Sequence, residues 1–422
     1  MEAAYATPRS GEPDSPFDLP VVLRSSRDLL AAVPYLLGFR PRECCVVVCV
    51  TREGQVGLVA RTPLGDPGGP APEARAVARA AARAGTCLAV VVVCTARPAA
   101  TVRADARVMV SALEEVLDPP ADVEAWLVGP DGYRGLDCAE PACCPPQGRP
   151  LGELEHGEVG AAFVVAGRAV APSEQEAHRI RRPSATLRDR VAKAAARAER
   201  ARLAARTDGS PDHATVRWRE GSYDAWCALL RQAAAEQHDH LPGEVALPPA
   251  RLGRLAAALA DVPVRDAVLL SLVPGGREAA ARTVGTARPG GTGDVEVDGG
   301  TRPAADVEVA TARAIARVVD PRVGVPPDAA TADAARLVLE QVVGGAPRRW
   351  HAAPLALLGF LAWWRGDGCL AGRRVREALR QDPSHRLAAL LAGVLQAAVP
   401  PGWVAPPGGT SPSPPERTET GP

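Results

Sequence analysis

Two valine runs constrain this chain more than anything else in it. Cys44–Val50 reads CCVVVCV and Cys87–Thr95 reads CLAVVVVCT. Successive side chains of a strand point to opposite faces, so a run that is apolar on both faces and rich in β-branched valine needs cover on both sides. That demands a layered α/β arrangement, and the flanking segments supply the layers. Further strands are expected at Val21–Arg24, Gln55–Arg61 and Val123–Val128. Helices are expected at Ser26–Phe39, Ala71–Gly85 and Ala104–Leu117. The first carries Leu29, Leu30, Val33, Leu36 and Leu37 on one stripe, with Ser25 or Ser26 as N-cap and Pro34 as a kink.

After about Arg181 the strand signals stop. Helical spacing is read at Ser184–Arg206, Ser222–Gln237, Pro249–Leu259, Val264–Val273, Ala304–Val319 and Ala329–Val343. The block from Ala353 to Pro383 gives a helix, a Gly366-Asp367-Gly368 turn and a second helix. It looks like a tetratricopeptide-type hairpin, followed by a further stripe through Leu387, Leu391 and Val394. Leu358, Leu379 and Leu391 are expected in the core, and Arg373, Arg374, Arg376 and Arg380 in water. The expected organisation is an N-terminal disordered stretch 1–19, an α/β domain 20–175 and an all-α domain 181–403 with tetratricopeptide-like packing. A flexible Gly-rich insertion near 275–303 and a disordered Pro/Ser/Thr tail 404–422 complete it.

Composition excludes several activities. Of 49 Lys and Arg residues only Lys193 is a lysine, and no GK[ST] occurs, so a Walker-type phosphate loop is ruled out and a Schiff-base lysine nearly so. There is no HExxH, GxSxG or EF-hand loop. The stretch RPGGTGDVEVDGG fails the dinucleotide pattern because Glu296 stands where the third glycine must be. Forty-nine cations against 49 carboxylates leave no net charge to favour nucleic acid or membrane. The longest strongly apolar stretches of the C-terminal half, Trp350–Trp364 and Leu387–Val399, are 15 and 13 residues, too short to span a bilayer. The first 20 residues lack the apolar core of a secretory signal. Ten cysteines with no export signal are expected to be reduced thiols of a cytoplasmic protein.

Three stretches taken together resemble an actinobacterial family catalogued as domain of unknown function 4192. They are SSRDLLAAVPYLLGFRP (Ser25–Pro41), LDCAEPACCPPQGRPL (Leu136–Leu151) and the terminal block from Trp350 to Trp403. The resemblance implies an α/β N-terminal part and a helical C-terminal part, and it carries no catalytic residues with it. Two features depart from the family's usual pattern: Cys44-Cys45, and the Gly-rich segment near 275–303.

Four constellations bear on function. Cys138, Cys143 and Cys144, with His156 twelve residues further on, form a possible tetrahedral Zn²⁺ set. Against this stands the C-x4-C-C spacing, because adjacent cysteines in an extended segment diverge. The run Arg179–Arg206 has ten cations and two acids, a local charge of +8. Arg181, Arg182, Arg188, Arg190, Lys193 and Arg197 are its candidate polyanion contacts, but no aromatic residue is interleaved for base stacking. His238-Asp239-His240 reads as a helix end rather than a metal pair, and the tryptophans of the terminal helices read as core rather than as a ligand platform. The sequence alone favours a non-catalytic cytoplasmic interaction or scaffold protein, with a protein partner on the C-terminal helices, no cofactor, no membrane and no nucleic acid. The first alternative is a thiol- or metal-dependent enzyme or regulator that uses the Cys138–Cys144 segment, with Zn²⁺ as its metal. The second is a weak nucleic-acid binder.

Overall fold

The computed structural model describes residues 23–52, 54–64, 71–117, 121–138, 140–145, 147–207, 211–239, 247–285 and 303–404. The expected disordered N-terminus, the Gly-rich stretch 286–302, His240 and the tail 405–422 lie outside the described residues.

The N-terminal part holds five strands: β1 (Cys44–Thr51), β2 (Val56–Pro63), β3 (Thr86–Cys94), β4 (Asp122–Val128) and β5 (Tyr133–Gly135). Between and after them come α1 (Ser26–Leu37), α2 (Ala71–Arg83), α3 (Ala99–Val116), α4 (Gly152–Glu155), α5 (Glu158–Val165) and α6 (Glu174–Ala177). The sheet runs β2-β1-β3-β4-β5 and only the β3–β4 pair is parallel, joined by the crossover helix α3. The two valine runs form its centre, as their composition requires. Val46, Val48, Val90 and Val92 pack on the face that α1 and α5 cover, where Tyr35 stacks on Phe163 at 4.9 Å. Val47, Cys49, Ala89 and Val91 pack on the face of α2 and α3. Each buried valine contributes about 1.5–3 kcal/mol.

The expected strand over Val21–Arg24 is not there among its described residues. Leu23 is fully buried and Arg24 leads into α1: its amide donates to the Asp28 carboxylate, while Ser25 Oγ accepts from the Asp28 amide. This reciprocal capping uses the backbone groups that a strand would have needed. Pro34 sits inside α1, which runs on to Leu37. Strand β5, three residues long, has no sequence signal of its own.

The helical part comprises α7 (Ala185–Thr207), α8 (Pro211–Asp239), α9 (Pro249–Ala258), α10 (Val262–Leu272), α11 (Arg277–Gly285), α12 (Pro303–Val319), α13 (Ala329–Gly345), α14 (Ala352–Trp364), α15 (Gly368–Gln381) and α16 (Arg386–Gln396). One continuous core runs through them, including Trp226, Leu255, Leu339 and Trp364. Helices α7 and α9 touch at Gly253, where a Cβ would meet the Val191 carbonyl at 2.4 Å, so only glycine allows that approach. Every residue of α14 is buried. It folds back on α15 through a turn in which Asp367 caps α15 by accepting from the Leu370 amide at 2.9 Å. Trp350, Trp363 and Trp364 are buried, and the indoles of Trp363 and Trp364 donate to the carbonyls of Val399 and Val325.

One expectation about α15 is corrected. Leu358 and Leu391 are buried and Leu379 is half-buried, while Arg376 and Arg380 face water. Arg374, however, is only 3% exposed. Its guanidinium donates to the His178 carbonyl (2.6 Å) and the Glu377 carboxylate (2.9 Å), and Arg373 donates to the Glu174 carbonyl (3.3 Å). Arg373 and Arg374 of α15 therefore pack on the α6 segment instead of on solvent. Glu174 also pairs with Arg61 of β2 at 2.9 Å, so the segment that the α15 arginines grip is itself tied to the sheet.

Candidate metal centre

The segment after β5 is held by the sheet. The Leu136 amide donates to the Ala125 carbonyl, and Tyr133 and Arg149 exchange both backbone hydrogen bonds across the base of the loop. A Cβ at Gly132 would lie 2.5 Å from the Arg149 carbonyl oxygen, so glycine is needed for the loop to close. The Tyr133 hydroxyl and Arg149 both reach Glu153, at 2.8 and 3.2 Å, and hold its carboxyl below the usual range.

Within this loop the amides of Cys143 and Cys144 both donate to the Glu140 carbonyl, at 3.1 and 2.8 Å. The chain is therefore turning at the adjacent pair. In a helical turn neighbouring side chains sit about 100° apart instead of on opposite faces, as 3.6 residues per turn requires. The divergence expected of an extended segment does not arise. The three Sγ atoms of Cys138, Cys143 and Cys144 lie within 4.8 Å of one another, with Cys143 and Cys144 3.9 Å apart. Sulfurs at about 2.3 Å from a tetrahedral Zn²⁺ are separated by about 3.8 Å, so a small contraction closes the set.

Backbone donors surround the sulfurs. The Gly135 amide donates to Cys144 Sγ at 3.3 Å, and the Glu140 amide to Cys138, whose thiol it pulls below the ordinary range. Such N–H···S bonds orient and stabilise thiolates in metal centres. Burial of Cys144 acts oppositely and pushes its thiol up to about 11. His156 is not brought to the sulfurs. Its Nδ1 lies 3.2 Å from the Gly152 carbonyl, on an exposed turn. The structure thus gathers three of the four residues named from the sequence.

The basic candidates are distributed differently. Arg181, Arg182, Arg188, Arg190, Lys193 and Arg197 are all exposed, and Lys193 pairs with Asp189 at 2.7 Å. The opposite side of α7, through Val191, Ala194 and Ala195, is buried. None of the ten cysteines is in a disulfide. Among the described residues no helix is long and apolar enough to cross a membrane.

The family model described as Domain of unknown function (DUF4192) matches residues 27–286 and 296–402, and the chain belongs to that family. The match skips 287–295, inside the Gly-rich segment read as an insertion. No curated protein and no solved structure matches the chain.

Proposed function

We propose that this protein is a metal-binding thiol protein whose Cys138, Cys143 and Cys144 hold Zn²⁺ through three sulfurs. The observation that carries this reading, and ranks it above the interaction-only role favoured by the sequence, is the convergence of the three Sγ atoms on a loop pinned at both ends. With three protein ligands the fourth tetrahedral position is left to an exchangeable donor, the arrangement of sites that act on or regulate something rather than merely brace a fold. A cytoplasmic location, where thiols stay reduced, belongs to the same proposal.

A second reading keeps a protein partner on the helical part, treating the α14–α15 hairpin as tetratricopeptide-like. It is favoured by Leu390 and Val399, which are 66% and 43% exposed on and after α16.

The metal reading is tested on full-length protein purified under reducing conditions. Metal analysis should find close to one Zn²⁺ per chain, lost to a chelator, and Co²⁺ should replace it with a thiolate-to-metal absorption band. Cys143→Ser should lower affinity at least about 100-fold, beyond the 10–100-fold typical of losing an outer-shell partner. Native protein that is metal-free, binds no added Zn²⁺ and has all three thiols freely titratable would overturn the proposal.

A further inference from the structure

A second thiol group lies at the opposite side of the same sheet. Cys44 opens β1 and Cys94 closes β3, and the antiparallel register places them directly opposite one another. Such partners have Cα atoms about 4.5–5.5 Å apart, inside the roughly 4.4–6.8 Å window of a disulfide. Both side chains point to the α1 face. Arg61 from β2, held by Glu174 and lying over the Phe39 ring at 5.6 Å, brings its positive charge to the Cys44 thiol. The Cys94 thiol and this guanidinium draw Cys44 down to about 7, while Cys94 is pushed well above the ordinary thiol value. The negative charge of the pair therefore resides on Cys44.

Cys44 is fully buried, but Cys94 lines a cleft of about 620 Å³ at the carboxyl ends of the parallel strands β3 and β4, together with Thr95, Val92 and Leu30. A water-sized reagent in that cleft meets Cys94 first. The neighbouring Cys45 and Cys49 point to the other face, where burial raises both to about 12.

We propose that Cys44 and Cys94 are a redox-active dithiol that a hydroperoxide, entering by the cleft, converts to a cross-strand disulfide. In the first step the Cys94 sulfur, its proton passed to Cys44, attacks the peroxide oxygen. An S–O bond forms, the O–O bond breaks and, for hydrogen peroxide, the leaving hydroxide takes the proton from Cys44 and departs as water, giving the Cys94 sulfenic acid beside a Cys44 thiolate. In the second step the Cys44 thiolate attacks the Cys94 sulfur, the S–O bond breaks and the hydroxide takes a proton to leave as water. The net change is two thiols and one hydrogen peroxide to one disulfide and two waters. This inference does not rest on the metal reading.

The test is peroxide treatment of reduced full-length protein, followed by alkylation, trypsin and peptide mapping. Cys44 lies in the peptide Glu43–Arg52 and Cys94 in Ala84–Arg103. The expected product is these two peptides cross-linked, two hydrogens lighter and separable by dithiothreitol. Cys44→Ser should abolish the cross-link and leave Cys94 as a sulfenic acid that dimedone traps. Cys94→Ser should abolish it and leave Cys44 unmodified, whereas Cys49→Ser should change nothing. Arg61→Gln should slow cross-linking roughly tenfold by weakening the thiolate. Because these peptides also carry Cys45, Cys49 and Cys87, fragmentation of the cross-linked wild-type pair locates the bond, which must join Cys44 to Cys94, and this decides the matter even if a variant fails to fold. Oxidation confined to Cys138, Cys143 and Cys144, or a cross-link that survives Cys94→Ser, would overturn the proposal.

Discussion

The sheet of the α/β part and the helical core after it are both built from small aliphatic side chains, yet they admit polar groups in different ways. In the central strands alternation commits every side chain to one buried face or the other, so Val46–Val50 and Val90–Val93 have no room for chemistry. Reactive side chains appear where the strands end: Cys44 and Cys94 at one rim, and the Cys138–Cys144 loop beyond β5. Eight of the ten cysteines, from Cys44 to Cys144, belong to this part, which is why both thiol proposals fall there. In the helical part polar groups enter the core as fasteners. The Trp226 indole donates to Ser271 Oγ at 2.9 Å, those of Trp363 and Trp364 to distant carbonyls, and Arg374 to the α6 segment. Sheets push their chemistry to the rim, whereas helices can use it to tie neighbours together.

The strongest way to break this contrast is to remove a fastener that is also a large core side chain. Trp364 is fully exposure-free and its indole holds the Val325 carbonyl at 3.0 Å. Trp364→Ala should cost about 3–5 kcal/mol, a large share of a domain's stability. Leu390→Ala, at an exposed position of the adjacent helix, should cost less than about 0.5 kcal/mol. Urea unfolding of the full chain, followed by hydrogen exchange, measures both. If Trp364→Ala loosens the sheet amides as much as those of α13–α15, the two parts are one cooperative unit and the contrast between them has no energetic meaning.

What could be read from the sequence follows the same division. The central strands were legible because β-branched residues at consecutive positions admit one interpretation. Strand β5 was not, being a three-residue partner whose pairing depends on where β4 runs. The metal candidates were legible as residue types, but whether Cys143 and Cys144 diverge depends on a turn that the Glu140 carbonyl dictates. The Cys44–Cys94 pair was invisible, since it exists only through the register of strands some forty residues apart in the chain. Arg374 was misread because an arginine stripe on a helix has the pattern of a solvent face whether water or another backbone meets it.

Arg374 sharpens the comparison at the junction. Truncating it leaves the His178 carbonyl without its donor and Glu377 with one guanidinium fewer, in a place where Arg374 is almost wholly buried. Arg374→Ala should therefore cost about 2–3 kcal/mol, as expected when hydrogen bonds to a buried charged group are lost. Arg376→Ala, two residues on and exposed, should stay under about 0.5 kcal/mol. Equal midpoints for the two variants in urea would mean that the junction contributes nothing and that α15 is packed only by its leucine and valine side.

The smallest expected effect is the dependence of this junction on pH. His178 is pressed edge-on against Phe39, with ring centroids 5.6 Å apart, and its Nε2 is buried without a hydrogen-bond partner. Burial first, then the Arg374 and Arg373 guanidinium groups, draw its pKa down to about 4; Glu174 opposes them and Arg61 adds to the depression. The folded protein therefore holds a neutral imidazole through a range in which the unfolded chain, titrating near 6.5, takes up a proton. More protons on the unfolded side mean that stability rises with pH. The contribution is complete above about pH 6.5 and is lost progressively as pH falls toward 4. Because the side chain is only partly buried, the effect between pH 7 and 5 is of order 1 kcal/mol, or about 2–4 °C in Tm. His351 and His385 are lowered by burial as well and contribute in the same sense, so the informative quantity is a difference. His178→Gln keeps a polar side chain of similar reach and has no proton to gain. Its Tm should fall less steeply than that of the wild type over this interval, with the two curves converging as pH drops. Parallel curves would show that His178 is equally protonated in both states, and that the arginines of α15 do not press upon it.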